Sequence, residues 1–272
     1  WEGGVRFFDT APLYGHGLSE IRLGKALAKY PRDQYVLASK VGRLLREPVE
    51  QISPTIFKNV PKLEPIFDYS RDAVLASIDE SLSRLNVDYL DVVHVHDPDD
   101  HEDWAINEAF PTLIQLRDEG VVKAVGCGTN QTKSLTRFVH EVDLDCLLLA
   151  GRYTVLDNTS GSELLQLCRE KNIGVVLGGI FNSGLLANPE KNKTFDYVDA
   201  SLEIVSKAQA MSELAQSHGV SLAHAAVQFR LRHTGVSSIV IGARTAIEID
   251  QDLSYASEII PDVFWDALQT LR

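Results

Sequence analysis

The sequence predicts an α/β fold of the (β/α)8 TIM-barrel type, and three observations carry that expectation. Short apolar runs alternate with longer stretches of helical period, the pattern of a parallel sheet. Several of those runs are almost continuously apolar, as strands buried on both faces require. The length of 272 residues suits a single barrel domain over 1–272. The strands in order are Val5–Ala11, Tyr35–Val41, Tyr89–His96, Lys123–Gly128, Cys146–Gly151, Gly174–Gly179 and Ser237–Gly242. Helical period follows each one, over Ser19–Lys29, Arg71–Leu85, Trp104–Glu119, Lys133–Glu141, Ser162–Lys171, Ser201–His218 with Leu222–Arg232, and Ala246–Ser257. Val74, Ile78, Leu82 and Leu85 form one stripe of the second helix, fit to cover a sheet. A last helix over Asp262–Leu271 follows Pro261, read as its first helical position. Seven strands are one short of a barrel, so a strand–helix unit is expected ahead of Gly3-Gly4-Val5. A doubly wound sheet is the rival, but Asp9–Gly17 carries no G-x-G-x-x-G turn after the first strand. Two long loops, Gly42–Tyr69 and Asn182–Asp199, follow strands and belong at the face where barrel active sites are built.

Charge and composition narrow the function classes. Asp and Glu outnumber Lys and Arg by 38 to 26, and a net charge of −12 repels phosphate backbones, so no nucleic-acid partner is expected. No apolar run approaches the ~20 residues of a membrane span, and the first residues lack the basic start of a secretion signal. Cys127, Cys146 and Cys168 are scattered without C-x-x-C and read as free thiols in a cytoplasmic protein. No metal site is expected, and the oligomeric state is read as a monomer or small homo-oligomer.

Four reactive side chains stand at or just beyond consecutive strand ends. Asp9 ends the first strand, with Tyr14 five residues on; Lys40 ends the second and His96 the third. Parallel neighbours bring these ends side by side. An ammonium beside a phenol favours phenolate and draws its pKa from about 10 toward the working range. A carboxylate holds that Lys, and a His orients a carbonyl or hydroxyl oxygen. The set is a general acid/base of the kind that accompanies hydride transfer. Taken singly, Asp9 fits a cap, Lys40 a solvated strand end and Tyr14 packing. His94 and His96 share a face, so either fits a core histidine.

The segments Phe7-Phe8-Asp9-Thr10-Ala11-Pro12-Leu13-Tyr14-Gly15, Ser19-Glu20-Ile21-Arg22-Leu23-Gly24-Lys25, Ala38-Ser39-Lys40-Val41-Gly42 and Val93-His94-Val95-His96-Asp97-Pro98 resemble the aldo-keto reductases. The resemblance runs from Gly4 to Leu271 and lacks the family's N-terminal hairpin and first strand–helix unit. It implies Tyr14 as acid/base, tuned by Lys40 and Asp9, with His96 orienting substrate. His94 falls where the family usually has an apolar residue. The resemblance further implies a nicotinamide cofactor held without a Rossmann motif. Thr129 and Asn130 would take its carboxamide, while Gly178, Gly179, Phe181 and Ser183 would line its ring and pyrophosphate. Gly242, Ala243, Arg244, Glu248, Gln251 and Asp252 would hold the adenosine end. Ala150 stands near the family's usual Gln, and Gly178 replaces its stacking aromatic. Glu248 stands where phosphate-preferring members carry Arg and favours NAD over NADP, with Arg244 as a competing cation. The segments Leu147–Asp157, Val95–His101 and Ile241–Arg244 most resemble aldose 1-dehydrogenases, including those for L-fucose, D-arabinose and L-galactose, and pyridoxal 4-dehydrogenases. Such enzymes oxidise a cyclic hemiacetal to a lactone. His16, Asp97, Asp99, Arg152 and Tyr153 would suit a hydroxylated substrate, or simply form a solvated rim. The alternatives are a general NADPH-dependent aldehyde or ketone reductase and a non-enzymatic nicotinamide-binding subunit.

Overall fold

The structure is a computed structural model that describes residues 1–48 and 55–271. The chain divides into two compact units, Trp1–Leu148 and Leu149–Arg272, with the break inside one strand.

In the first unit, four strands run parallel: β1 (Phe7–Asp9), β2 (Val36–Val41), β5 (Leu90–His96) and β6 (Val122–Thr129). β1 pairs with β2 through Asp9 and Ala38, β2 with β5 through Lys40 and His94, and β5 with β6 through His96 and Gly128. Leu37, Ala38, Val93, Val95 and Val125 are buried, which is why several of the strand sequences read as almost continuously apolar runs. Helix α1 (Leu18–Leu27) follows β1, and α2 (Arg71–Leu85) precedes β5. Ser70 caps α2 by accepting from the Ala73 amide, Asn86 ends it in the left-handed conformation, and Val74, Ile78 and Leu85 are buried. α3 (Glu102–Trp104) passes through a π turn (Ala105–Ala109) into α4 (Phe110–Asp118), so the single helix expected over Trp104–Glu119 is interrupted. α5 (Thr132–Glu141) follows β6 and leads to β7 (Cys146–Ala150).

The segment Gly42–Tyr69, expected as a loop, contains an antiparallel hairpin. β3 (Arg43–Arg46) pairs with β4 (Glu64–Phe67), with Arg43 opposite Phe67. Residues 49–54 of that expected loop lie outside the described residues.

The second unit opens with α6 (Thr159–Glu170) and β8 (Gly174–Gly178), and β8 pairs in parallel with β11 (Ser238–Ile239). β11 is shorter than the expected Ser237–Gly242, although the Val240 amide still donates to the Leu177 carbonyl. Within Asn182–Asp199, a second expected loop, β9 (Thr194–Phe195) and β10 (Val198–Asp199) form a hairpin. Asp196 and Tyr197 turn it with positive φ at both central positions, the geometry that fits strand twist. α7 (Leu202–Ser217), α8 (Leu222–Leu231), α9 (Ala246–Ser257) and α10 (Asp262–Gln269) complete the unit. Pro261 is the N-cap of α10 rather than its first helical residue. Leu185, Leu186, Met211, Ala225, Ala226, Phe264 and Leu268 share one buried core. No helix among the described residues is long and apolar enough to cross a membrane.

Candidate active site

The first unit brings Asp9, Tyr14, Lys40 and His96 together. Lys40 is almost fully buried, and its Nζ donates to Asp9 Oδ1 at 2.8 Å, to Asp9 Oδ2 at 2.7 Å and to the Thr10 carbonyl at 2.8 Å. The same ammonium lies 4.9 Å from the centre of the Tyr14 ring, and the His96 ring meets Tyr14 edge-on at 5.8 Å. Strand register explains the grouping, because Asp9 and Lys40 close neighbouring strands and Tyr14 sits in the turn just past β1.

Electrostatics here differ from the expectation in one respect. Burial raises the Tyr14 phenol above its ordinary value, and the Lys40 charge pulls it back only in part. The net direction is therefore up, because desolvation of a phenolate outweighs one nearby cation. Burial likewise raises Asp9 against the opposing pull of Lys40. For Lys40, burial works against the charged form, but the attraction of Asp9 and Tyr14 outweighs it, so the ammonium persists. His96 is pushed well below the usual imidazole value by burial and by the Lys40 and Arg43 charges, and it is neutral.

His94 and His96 both point into this buried region, with different surroundings. His94 is fully buried, and neither ring nitrogen has a hydrogen-bond partner among the described residues. Burial and the Lys40 charge lower it to about 3, which keeps it uncharged. Gly126 makes its space, since a Cβ there would stand 2.4 Å from His94 Nδ1. On His96, Nε2 faces Asp97 Oδ2 at 3.6 Å, while Nδ1 is buried without a partner among the described residues.

The corner after His96 is clamped by residues that the sequence did not single out. Tyr69 is fully buried, and its hydroxyl donates to the carbonyls of both His96 and Asp97, at 2.8 and 2.9 Å. Gly42, at φ +99°, gives that ring its room, because a Cβ there would approach it to 2.3 Å. Arg43 Nη2 donates to Asp97 Oδ2 at 3.0 Å, and its guanidinium lies 3.8 Å from the Phe67 ring centre. His16, another expected substrate residue, is 2% exposed with φ +50°. Neither of its ring nitrogens has a partner among the described residues, and the ring meets Phe57 edge-on at 6.0 Å.

Thr129 and Asn130 close β6 beside this group. The Thr129 hydroxyl donates to Asp99 Oδ2 at 2.7 Å and accepts from the Gln131 amide at 3.2 Å. Its proton is thus committed, and its spare capacity is that of an acceptor. Asn130 Oδ1 accepts from the Gln131 side chain.

The remaining expected residues belong to the second unit. Arg152 grips Asp196 with both terminal nitrogens, at 3.0 and 2.5 Å, and Tyr153 stacks on Phe229. Both are accounted for by structural contacts. Gly178 ends β8, and Gly179, Asn182 and Ser183 take positive φ in the turn beyond it. Ser183 Oγ accepts from the Tyr197 amide, and Phe181 packs on the core. Gly242 and Ala243 lead into Arg244, whose amide and guanidinium both donate to Glu248, at 2.6 and 3.1 Å. These bonds lower the Glu248 carboxyl, so the Arg244 expected as a competing cation is bound to Glu248 itself. Gln251 donates to the Tyr255 hydroxyl, and burial together with Glu248 raises Asp252. Cys127, Cys146 and Cys168 are free thiols, all raised by burial.

A buried Lys–Asp pair against a Tyr and a neutral His is an arrangement able to move a proton. The aldo/keto reductase family model matches residues 1–272. The chain is 39% identical to a D-threo-aldose 1-dehydrogenase from a Pseudomonas species, covering 100% of this chain and 85% of that protein. It is 38% identical to a pyridoxal 4-dehydrogenase from Microbacterium luteolum, with 99% and 85% covered. A solved aldo-keto reductase from Bacillus halodurans, in its holo form, superimposes with a TM-score of 0.77 at 23% identity, covering 99% of this chain and 83% of that one. The chain belongs to the aldo/keto reductase family, with the α/β fold of its (β/α)8 barrels, and is a nicotinamide-dependent oxidoreductase.

Proposed function

We propose that the protein oxidises the anomeric carbon of an aldose to a lactone, with Tyr14 as the acid/base. The observation that carries this reading is the Lys40 ammonium, fixed by both oxygens of Asp9 and held against the Tyr14 ring. Lys40 favours the phenolate, which takes the proton from the C1 hydroxyl. Neutral His96, whose Nε2 lies 3.6 Å from Asp97 Oδ2, donates a ring N–H to the reacting oxygen and orients it. When bound, the nicotinamide supplies the hydride acceptor. Within the first unit Thr129 offers an acceptor to a carboxamide; within the second, Gly242 has open space where a side chain would stand and Arg244 is exposed. Gly178, Gly179, Phe181 and Ser183 would line the ring and pyrophosphate, while Gln251 and Asp252 would face the adenosine. We assign NAD in preference to NADP, because Glu248 occupies Arg244. The three free thiols support a cytoplasmic setting.

The two relatives named above support an aldose and pyridoxal as substrate candidates. The test is to incubate the enzyme with L-fucose, D-arabinose, L-galactose and pyridoxal, with NAD or NADP, while following formation of reduced nicotinamide. Oxidation of an aldose supports the reading. Oxidation of pyridoxal alone replaces the substrate, and retention of activity by Tyr14→Phe refutes the mechanism. General acid–base groups are typically worth 10²–10⁴ in rate, so Tyr14→Phe should lose about that much.

A further inference from the structure

Asp97 is held in an unfavourable backbone conformation by an unusual number of contacts. Its φ of +44° is in the left-handed region, which non-glycine residues rarely adopt. The Tyr69 hydroxyl bonds its carbonyl, its amide donates to the Gly128 carbonyl at 3.0 Å, and Arg43 pairs with its carboxylate. These contacts fix the direction of one side chain immediately after the residue that faces the reacting oxygen. That side chain is 37% exposed, whereas His96 beside it is 8% exposed. Water, and hence a substrate, reaches Asp97 more easily than His96.

The printed contacts of its carboxylate are one-sided. Arg43 Nη2 and His96 Nε2 both face Oδ2, and no hydrogen bond among the described residues falls on Oδ1. An ionised carboxylate accepts only, so Oδ1 calls for a donor such as a hydroxyl. His96 Nε2 lies 3.6 Å from Oδ2 of the same carboxylate, so the two side chains stand next to one another.

We propose that Asp97 is a specificity residue that accepts a hydrogen bond from the hydroxyl on the carbon next to the reacting one, so the substrates are aldoses bearing a free 2-hydroxyl. His96 takes the C1 oxygen and Asp97 the C2 oxygen, as two adjacent readers of one sugar edge. Burial raises the Asp97 carboxyl, and Arg43 pulls it back in part and aims it. The proposal rests on the aldose reading above.

Its test is kinetic. L-fucose, D-arabinose and L-galactose are each compared with their 2-deoxy counterparts, on the wild type, Asp97→Asn and Asp97→Ala. A hydrogen bond to a charged group predicts a wild-type loss in kcat/KM of roughly tenfold to a hundredfold on removing the 2-hydroxyl. Asp97→Ala should lose a similar factor on the parent sugars and almost nothing further on the 2-deoxy sugars. Asp97→Asn, which retains an acceptor oxygen, should fall between them. Equal wild-type rates on parent and 2-deoxy sugars overturn the proposal, and that comparison needs no variant to fold. An equal loss on both sugars in Asp97→Ala also overturns it, leaving Asp97 a clamp for the hairpin. Failure to oxidise any aldose removes the aldose reading, and this proposal with it.

Discussion

Lys40 Nζ lies within 2.8 Å of both oxygens of Asp9, an ion pair in which the lysine side chain is 1% exposed and the aspartate side chain 9%. A pair so deeply buried fixes a positive charge beside Tyr14 whatever the solvent does. Its effect on Tyr14 competes with burial, and burial prevails. Oxidation, which needs the phenolate, should therefore gain rate as the pH rises. Reduction, which needs the phenol, should hold through neutrality and fall only at alkaline pH.

Lys40→Met removes the positive charge that lowers Tyr14. The phenol should rise further, and the ascending limb of the oxidation profile should move up by roughly one to three pH units. The pH profile of kcat/KM on wild type and variant is the measurement. An unmoved limb in a folded variant would show that Lys40 does not act on Tyr14.

The pairing of His94 with Gly126 predicts a stability effect with a built-in rescue. Gly126→Ala places a Cβ 2.4 Å from His94 Nδ1 and should cost about 1–3 kcal/mol. Adding His94→Ala should recover part of that loss, which a denaturant titration of the three variants would show. His96→Ala should leave stability nearly intact and depress kcat/KM strongly. Cofactor affinity unchanged in His96→Ala would separate substrate orientation from cofactor binding. If His94→Ala is instead the more damaging to turnover, the substrate-orienting role belongs to His94.

How far the sequence reached is clearest at these positions. The grouping was legible because Asp9, Lys40 and His96 stand at the ends of apolar runs and Tyr14 in the turn past one, and parallel pairing forces such ends together. The α2 span was legible from its one apolar stripe. Tyr69 and Arg43 were not, because their roles arise from the β3–β4 hairpin, whose strands lie well apart in the chain and show little alternation. The partner of Glu248 was hidden for a related reason. Arg244 and Glu248 were both noticed, but the bond between them depends on how Thr245 caps α9. The direction of the Tyr14 shift was missed because burial is a property of the fold rather than of spacing.

Arg230 shows the cost of a buried charge. Its side chain is fully buried in α8, and none of its three nitrogens has a hydrogen-bond partner among the described residues. Burial lowers it to about 9, with only the Tyr153 interaction opposing. Replacing an unpaired guanidinium by an apolar chain of similar length removes that desolvation cost. Arg230→Met should stabilise the protein by about 1–4 kcal/mol. Urea melts of wild type and variant decide the matter, and a lower midpoint for Arg230→Met would refute the prediction.

Cofactor choice should turn on the Arg244–Glu248 pair. Both side chains are at the surface, and the carboxylate holds the Arg244 amide as well as its guanidinium. With Glu248 in place, a 2′-phosphate meets a cation already neutralised and an anion beside it, whereas a 2′-hydroxyl meets an acceptor. Glu248→Gln removes the negative charge and frees Arg244, which is 91% exposed, to swing toward a phosphate. The ratio of kcat/KM for NADP to that for NAD should rise by about tenfold at low salt and by less as added salt screens the exposed charge. Arg244→Ala in the same background should cancel the gain, because the gain depends on the freed guanidinium. A wild type that already prefers NADP, or a ratio unmoved by Glu248→Gln, would show that Arg244 reads the phosphate despite its partner.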